Sequence, residues 1–368
     1  MRRIHVLICG LFLGLLQTVA HADKLDDNLQ SVWESLWDQR GTPYQVIRWD
    51  KPVTYRIHGV DTERHTALIK GALTAAADAT NVQMSDVTGQ PDASSSAVLD
   101  IEVVENTGLQ DNEPCVTNFA KWVNWAFVKV QVKMRSKDVW RCAMHETMHV
   151  MGIAGHPSGR TVLSYFAPRS DVLMDLDRIM LKAWYSPEVS RGATPLETMA
   201  VLSKAVARQT DLGLSAEEAS RRAKIFNQNK LLELQALASG QGEVPGIVIR
   251  SGKSNPEFIA KARPAAAYFV GVAYMQGVVT SRNDAESTAW FGRAARQGHS
   301  GAQVMYARAL IKGIGIAPDQ MSAHAWLSTA TRGGNSVAGS ELVVLEGGFK
   351  PADLDKARSH AGHGKDPL

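Results

Sequence analysis

The sequence predicts two domains of different class: an α+β domain, followed by an all-α domain of helical repeats. Strand-like and helix-like segments alternate through the first half of the chain. Two histidines then stand four residues apart in a helical segment, and a segment of about 36 residues occurs twice in the last third. A chain of 368 residues is also too long for one ordinary core, so two domains are expected.

The first 22 residues have the layout of a secretory signal peptide. Arg2 and Arg3 form a basic start, an almost wholly apolar run covers 4–16, and Ala20-His21-Ala22 offers a small-x-small cleavage site. The alternative is a membrane anchor, but the run is short for a span of about 20 residues, and no second run of that length follows. We therefore expect a periplasmic or secreted protein without stable membrane insertion after cleavage.

The charge balance excludes the partners that a strongly basic chain would have. Signal cleavage removes Arg2 and Arg3 and no acidic residue, so the formal net charge falls from +3 to +1. That value is too small to favour nucleic acid or an acidic membrane surface. No nucleic-acid partner is expected.

Two cysteines, Cys115 and Cys142, remain in the exported chain. An oxidising compartment favours a disulfide bond between them. The alternative is two buried thiols.

Hydrophobic periodicity predicts the elements of the α+β domain, which we assign to 23–195. Apolar residues at helical spacing predict a short helix within 23–40, and Asp61 begins a second helical stretch that runs to Ala79. The strand-like segments are 53–57, 97–103 and 125–132. We expect the last of these, 125–132, to be an edge strand that could pair with an extended peptide.

A further helix carries the histidines. Asp138 is a suitable N-cap for it, and Gly152 is its expected end because glycine accepts the left-handed conformation. Residues 196–256 are then assigned to a helical connector, with a linker rich in glycine, serine and proline over 240–256.

The last segment, 257–368, contains the internal repeat. Residues 265–300 align with 301–336 without gaps, and the matched positions are alanines, glycines and the pair Trp290 and Trp326. This period is typical of stacked helical hairpins. We expect the tryptophans to fill the core and the remaining segment, 337–361, to cap the stack.

The motif that carries chemistry is His145-Glu146-Thr147-Met148-His149, the H-E-x-x-H zinc signature. Its two histidines lie on one helical face, and Glu146 between them can reach a water on the metal. Gly152 allows the chain to turn, so that His156 can return as a third ligand. Three protein ligands with one open position are typical of catalytic Zn²⁺.

This motif resembles that of the metzincin zinc peptidases, in which a glycine and a third histidine follow the pair. The 161–165 segment, Thr-Val-Leu-Ser-Tyr, is similar to the metzincin Met-turn, with Leu163 at the methionine position and Tyr165 at the tyrosine position. The resemblance covers about 45–190. It implies a matrixin-like fold, a peptide or protein substrate, Glu146 as general base, and Tyr165 as a metal-binding or oxyanion-stabilising residue.

His156 stands one residue later than the metzincin spacing, after Gly155. The conformational freedom of Gly155 could absorb the added step. Asp171 and Glu188 are the alternative third ligands if the loop carries His156 outward.

Two further resemblances bear on function. The repeats, with Ala289-Trp290-Phe291 and 294–298, resemble the Sel-like branch of the tetratricopeptide repeats, which implies a protein partner. The cysteine placement and 176–185 resemble an uncharacterised family of exported bacterial proteins that often carry degraded zinc motifs.

The expected function is an exported zinc metalloendopeptidase. The alternatives are a decayed peptidase that acts as a periplasmic interaction scaffold, a structural zinc site, and an amidase or esterase with the same zinc chemistry.

Overall fold

The structure is a computed structural model that describes residues 24–106, 108, 113–165, 170–209, 212–250 and 256–362. The predicted signal peptide, 1–22, lies outside these residues. The chain divides into two compact units. The front unit contains the described residues up to Gln39 together with Tyr44–Asn227, and the rear unit contains Arg40–Pro43 and the chain from Gln228.

The front unit is an α+β domain built on a mixed five-stranded sheet with the order β2-β1-β3-β5-β4. Strands β1, β2, β3 and β5 run parallel to one another, and β4 runs antiparallel to β5 at one edge. The strands are β1 (Val53–Gly59), β2 (Met84–Asp86), β3 (Leu99–Val104), β4 (Cys115–Val123) and β5 (Ala126–Arg135).

One face of the sheet is apolar and forms the core. Residues alternate between buried and partly exposed along β1 and β3, as expected for strands with one solvated face. Helix α1 (24–35) precedes β1. Helix α2 (Thr62–Thr80) connects β1 to β2, and the single-turn helix α3 (Ala93–Ser96) connects β2 to β3. Helix α2 contacts both the sheet and α4 (Val139–Val150), so the two helices lie on the same face.

The predicted edge strand, 125–132, is not at the edge. Strand β5 lies between β3 and β4, and the edge on this side of the sheet is formed by β4, which has no counterpart among the strand-like segments predicted from the sequence. The tight turn at Asn124 and Trp125 joins the two strands, and both residues have positive φ. The register of β4 against β5 shifts twice, and Val128 is 40% exposed although Val130 is buried. An irregularity in the ladder therefore interrupts the alternation of buried and exposed residues along β5.

Helix α4 begins and ends where the sequence predicts. Asp138 occupies the N-cap position without making a side-chain cap. Its carboxylate instead forms ion pairs with Arg135 at 2.7 Å and Arg141 at 2.9 Å. Gly152 ends the helix with φ 97°, and a Cβ there would lie 2.0 Å from the Ile47 carbonyl oxygen. Both the backbone conformation and the close approach therefore require glycine.

Three further helices follow the metal-motif region: α5 (Asp175–Trp184), α6 (Pro195–Ala207) and α7 (Ala216–Ala238). Helix α6 packs against α5 and belongs to the front unit, and the division between the units falls within α7. The predicted linker contains a short helix, α8 (Gly246–Arg250).

The described part of the rear unit is helical from α9 onward. Its helices are α9 (Pro256–Gln276), α10 (Asp284–Arg296), α11 (Ser300–Lys312), α12 (Gln320–Arg332), α13 (Ser336–Gly347) and α14 (Pro351–Gly362). Each of α10, α11 and α12 packs against its neighbours in sequence, which is the expected arrangement of stacked hairpins.

The repeated tryptophans do not behave alike. Trp326 is 2% exposed, as predicted for a core residue. Trp290 is only partly buried and carries the Arg293 guanidinium over its ring at 4.5 Å, while its neighbour Phe291 enters the core. Helices α13 and α14 pack against α12, as predicted for the capping segment. Throughout the described ranges, none of the helices combines the length and the apolar character needed to cross a membrane.

Candidate metal centre

Three histidine side chains converge at the C-terminal part of α4 and the loop that follows it. The Nε2 atoms of His145, His149 and His156 form a nearly equilateral triangle, with sides of 3.1, 3.2 and 3.3 Å. All three residues are buried, with exposed fractions of 4–8%. Among the described residues, these three histidines form a candidate metal-binding cluster. The alternative third ligands, Asp171 and Glu188, do not belong to it.

The dimensions of the triangle fit zinc. Zinc–nitrogen bonds of about 2.0–2.1 Å in tetrahedral geometry place two ligand nitrogens about 3.3 Å apart. Neutral imidazoles at this separation, each with one nitrogen directed to a common centre, form a donor set that zinc binds readily.

The other ring nitrogens of α4's two histidines contact backbone carbonyl groups. His145 Nδ1 lies 3.0 Å from the Val162 carbonyl oxygen, and His149 Nδ1 lies 2.7 Å from that of Ile153. A carbonyl oxygen can only accept, so Nδ1 carries the proton and Nε2 presents a lone pair. These contacts select the tautomer that binds a metal through Nε2.

Glu146 is buried beside the histidines and is held by the edge strand. Its Oε2 accepts a hydrogen bond of 2.7 Å from the Thr117 hydroxyl group on β4, and Glu146 is 3% exposed. Two residues before Thr117, Cys115 forms a disulfide bond with Cys142 of α4, as predicted. The bond ties the edge strand to the helix that carries two of the histidines.

The loop that carries His156 is held by α1 and the residues after it. The Glu34 carboxylate accepts hydrogen bonds from the backbone N–H and the hydroxyl of Ser158, at 2.7 and 2.6 Å. The Tyr44 hydroxyl donates to the Ser35 carbonyl at 2.6 Å and accepts from the Ala154 N–H at 2.8 Å. Burial raises the pKa of Tyr44 above its usual range, so this hydroxyl keeps its proton.

Gly155 is needed for a different reason from the one predicted. Its φ lies outside the left-handed region. A Cβ at Gly155 would instead meet the carbonyl oxygens of Ser35 and Glu34 at 2.5 and 2.6 Å. The glycine allows α1 to approach the loop, and its N–H donates to the Ser35 carbonyl at 3.2 Å.

The turn that resembles the Met-turn lies beside the histidines. Leu163 is fully buried, and the Tyr165 ring stacks on His156 with centroids 4.4 Å apart. Tyr165 also lies 5.9 Å from the His145 ring and is 42% exposed. The phenol therefore stands at the solvent side of the cluster, next to two of the three imidazoles.

A buried carboxylate supports this turn from α5. Asp177 accepts hydrogen bonds from the backbone N–H groups of Val162 and Met174, at 3.1 and 2.9 Å. Complete burial raises the pKa of Asp177 to about 7, although the two backbone hydrogen bonds act in the opposite direction. Asp177 therefore fixes the backbone of Val162, the residue whose carbonyl contacts His145.

Gln39 follows α1 and reaches the same cluster. Its Nε2 lies 2.8 Å from Nδ1 and 3.1 Å from Nε2 of His156. The same atom donates a hydrogen bond of 3.1 Å to the Tyr165 hydroxyl.

The predicted residues His145, Glu146, His149, His156 and Tyr165 thus lie together in the structure. Sequence reasoning missed the residues that hold them: Glu34, Gln39, Tyr44, Thr117 and Asp177. None of these five lies near the motif in sequence, and no spacing pattern marks them. The helical periodicity of 24–35 was one available signal, since an amphipathic helix must pack against another part of the fold.

A known protein family is recognised within the rear unit. The model of the Sel1 repeat family matches residues 264–299 and 300–335. The predicted repeats, 265–300 and 301–336, are therefore confirmed with a shift of one residue. The rear unit contains two Sel1 repeats.

Two solved structures are similar to part of the chain. A Sel1 repeat protein from Oxalobacter formigenes is 27% identical over 33% of this chain and 96% of its own, with a TM-score of 0.22. The protein c5321, a protective antigen of uropathogenic Escherichia coli strains with an SLR fold, is 19% identical over 52% of this chain and 49% of its own, with a TM-score of 0.27. No match was found among curated proteins.

Proposed function

We propose that the protein is a zinc-dependent peptidase whose rear repeats bind a protein partner. The observation that carries the peptidase assignment is the triangle of three buried Nε2 atoms, 3.1–3.3 Å apart, with Glu146 on the helix that carries two of the histidines. His145, His149 and His156 would hold the zinc, which corresponds to the metzincin-like ligand set expected from the motif. Bound zinc would supply Lewis acidity and activate a water for attack.

The protein's own groups then divide the remaining work. The Glu146 carboxylate accepts the proton of the attacking water and delivers it to the leaving amine. The Thr117 hydroxyl, 2.7 Å from Oε2, orients that carboxylate. The Tyr165 hydroxyl, on the solvent side of the cluster, donates a hydrogen bond to the substrate carbonyl as negative charge develops there.

The position of β4 at the edge of the sheet supports a peptide as substrate. Strand β4 ends the sheet order and carries Thr117, which touches the general base. An extended peptide that adds to β4 as a further strand therefore passes the Glu146 carboxylate. This assigns the strand-addition role to β4 in place of β5.

The two Sel1 repeats support the proposed binding of a protein partner. Stacked helical hairpins form an extended surface that commonly binds other proteins. The repeat match favours a protein-interaction role for the rear unit whether or not the front unit is active.

The test is the variant Glu146→Gln. It keeps the shape of the side chain but cannot accept a proton, so hydrolysis of a fluorescence-quenched casein should fall about 10²–10⁴-fold. Zinc content, measured by atomic emission on the purified protein, should remain at the wild-type level because Glu146 is not one of the ligands.

Glu188→Gln is the matched control, since Glu188 is an exposed acidic residue outside the cluster. It should change neither zinc content nor hydrolysis. Wild-type protein that binds zinc and cleaves no more casein than Glu146→Gln would favour the second candidate, an inactive peptidase-like scaffold. The repeat match already supports the interaction role that this candidate requires.

A further inference from the structure

We propose that Gln39 is a positioning residue of the zinc site: its carboxamide holds the His156 ring and the Tyr165 hydroxyl in the arrangement that the metal needs. This inference rests on the proposed zinc centre. It adds a residue 117 positions from His156 that belongs to neither the zinc motif nor the turn.

The two distances from Gln39 to His156 define where the carboxamide lies. One atom, Nε2, is 2.8 Å from Nδ1 and 3.1 Å from the ring's own Nε2. If Gln39 Nε2 lay in the plane of the His156 ring at these two distances, it would overlap Cε1, the carbon between the two ring nitrogens. The carboxamide therefore lies over the imidazole face, where it limits tilting of the ring.

The contact with Tyr165 brings a third side chain into the arrangement. Gln39 Nε2 donates to the Tyr165 hydroxyl at 3.1 Å, and the Tyr165 ring stacks on His156 with an interplanar angle of 13°. Gln39 thus contacts the ligand and the phenol that covers it. Loss of this contact should loosen both side chains together, because they pack on each other.

The backbone around Gln39 is closed by hydrogen bonds. The Tyr44 N–H donates to the Leu36 carbonyl at 3.2 Å, and the Tyr44 hydroxyl donates to the Ser35 carbonyl at 2.6 Å. These bonds join the two ends of the segment that contains Gln39. The same Ser35 carbonyl accepts from Gly155, the residue before His156. Gln39 and the third histidine are therefore placed by one connected set of bonds.

The chemistry of a carboxamide suits this position. The carboxamide is uncharged, so it does not compete with the three imidazoles for the metal. It can donate and accept at once, which an aliphatic side chain cannot do. Groups that orient metal ligands in this way commonly change metal affinity about 10–100-fold when they are replaced.

The experiment compares Gln39→Met with Gln45→Met. Methionine keeps the length of glutamine without its hydrogen bonds. Gln45 is the control because its carboxamide bonds to the Gly192 carbonyl at 2.6 Å, outside the cluster. Zinc affinity would be measured by competition with a chromophoric chelator, and the ligand geometry by the visible spectrum of the Co²⁺-substituted protein. We expect Gln39→Met to weaken zinc binding at least ~10-fold and to shift the Co²⁺ bands, with both unchanged in Gln45→Met.

A double-mutant cycle with Tyr165→Phe tests the hydrogen bond itself. If Gln39 acts partly through the phenol, Gln39→Met should weaken zinc binding less in the Tyr165→Phe protein than in the wild type.

Wild-type zinc affinity and an unchanged Co²⁺ spectrum in Gln39→Met, confirmed with Gln39→Ala, would overturn the inference. Wild-type protein that binds zinc but cleaves no peptide would reject the proposed peptidase alone, since affinity and spectrum still decide the role of Gln39. Wild-type protein that binds no zinc would reject both.

Discussion

At the scale of single residues, the position of the third histidine depends on contacts made far from the helix that carries the first two. Helix α4 places His145 and His149 through its own periodicity, but His156 lies on a loop. That loop is fixed by Glu34, Ser35 and Tyr44, which bond to its backbone. The geometry of the cluster is therefore a tertiary property of the front unit, and it should respond to changes on the side of α1.

Gly155→Ala tests this dependence. The added Cβ would lie 2.5 Å from the Ser35 carbonyl oxygen, so either α1 or the His156 loop must move. We expect a loss of about 1–3 kcal/mol in the free energy of unfolding and weaker zinc binding. Urea titration and chelator competition measure the two effects.

Gly71→Ala is the control for that variant. Gly71 lies within α2, and a Cβ there would meet nothing within 4 Å. Alanine in an open helical position should stabilise the protein by about 0.5–1 kcal/mol and leave zinc affinity unchanged. Equal stability of Gly155→Ala and wild type would show that the loop does not need the close approach of α1.

Sequence spacing was sufficient to predict that the three histidines lie together and insufficient to predict the residues that hold them. The i, i+4 pair and the glycine before His156 are local patterns, and local patterns can be recognised in one sequence. The sequence marked Gly155 as important for its conformational freedom, but the structure requires a glycine there because of the Ser35 carbonyl, which is far away in the chain. Gln39 and Thr117 carry no local pattern, so only the folded chain brings them to the site.

At the scale of secondary structure, the error in the sheet has a physical origin. Strand β4 lies at the edge, and most of its side chains are exposed, so its sequence lacks the apolar alternation that marks β1 and β3. Strand β5 lies between β3 and β4 and has the stronger apolar pattern. Since the sequence does not mark β4 as a strand, it predicts β5 at the edge of the sheet. Order within a sheet depends on pairing partners, and the sequence of one strand does not name them.

The repeats were easier to predict because the same element occurs twice. His299 caps α11 by accepting a hydrogen bond from the Ala302 N–H at 3.1 Å, and Asn335 caps α13 in the next repeat with the same spacing and distance. His299 is partly buried against Tyr268, with ring centroids 4.5 Å apart. Burial lowers the pKa of His299 from 6.5 to about 4.

This lowered pKa predicts a loss of stability in acid. Between pH 6.5 and 4 the unfolded chain binds a proton at His299 that the folded chain does not, so stability falls as pH falls through this range. The loss should approach about 2 kcal/mol near pH 4, after allowance for partial exposure of the ring. His299→Asn keeps a capping acceptor that does not titrate.

Urea unfolding of the full chain at several pH values between about 4 and 7, followed by circular dichroism, gives the comparison. His299→Asn should match the wild type near neutral pH and exceed it in stability in the acidic part of this range. Identical pH dependence in the two proteins would show that His299 titrates in the folded chain as it does in the unfolded one.

At the scale of the whole molecule, the two units differ in how they are built and in what marks them in the sequence. The front unit relies on contacts between residues far apart in the chain, such as the disulfide bond that joins Cys115 to Cys142. The rear unit relies on packing between successive helices, as repeat proteins do. A family model recognises the repeats, whose pattern is local, while the packing of the three histidines against each other is visible only in the folded front unit.

This difference leads to a prediction about a truncated chain that ends after α7, at residue 242. Every residue described above as holding the three histidines lies in the front unit, from Glu34 to Asp177. Zinc affinity of the fragment 23–242, measured by chelator competition, should therefore lie within a few-fold of the full chain. The cut is placed after α7 because the division between the units falls within that helix. A fragment that keeps its circular dichroism spectrum but loses zinc would mean that the rear unit helps to form the site. Retained affinity would instead make the front unit an independent metal-binding domain, to which the Sel1 repeats add a separate interaction surface.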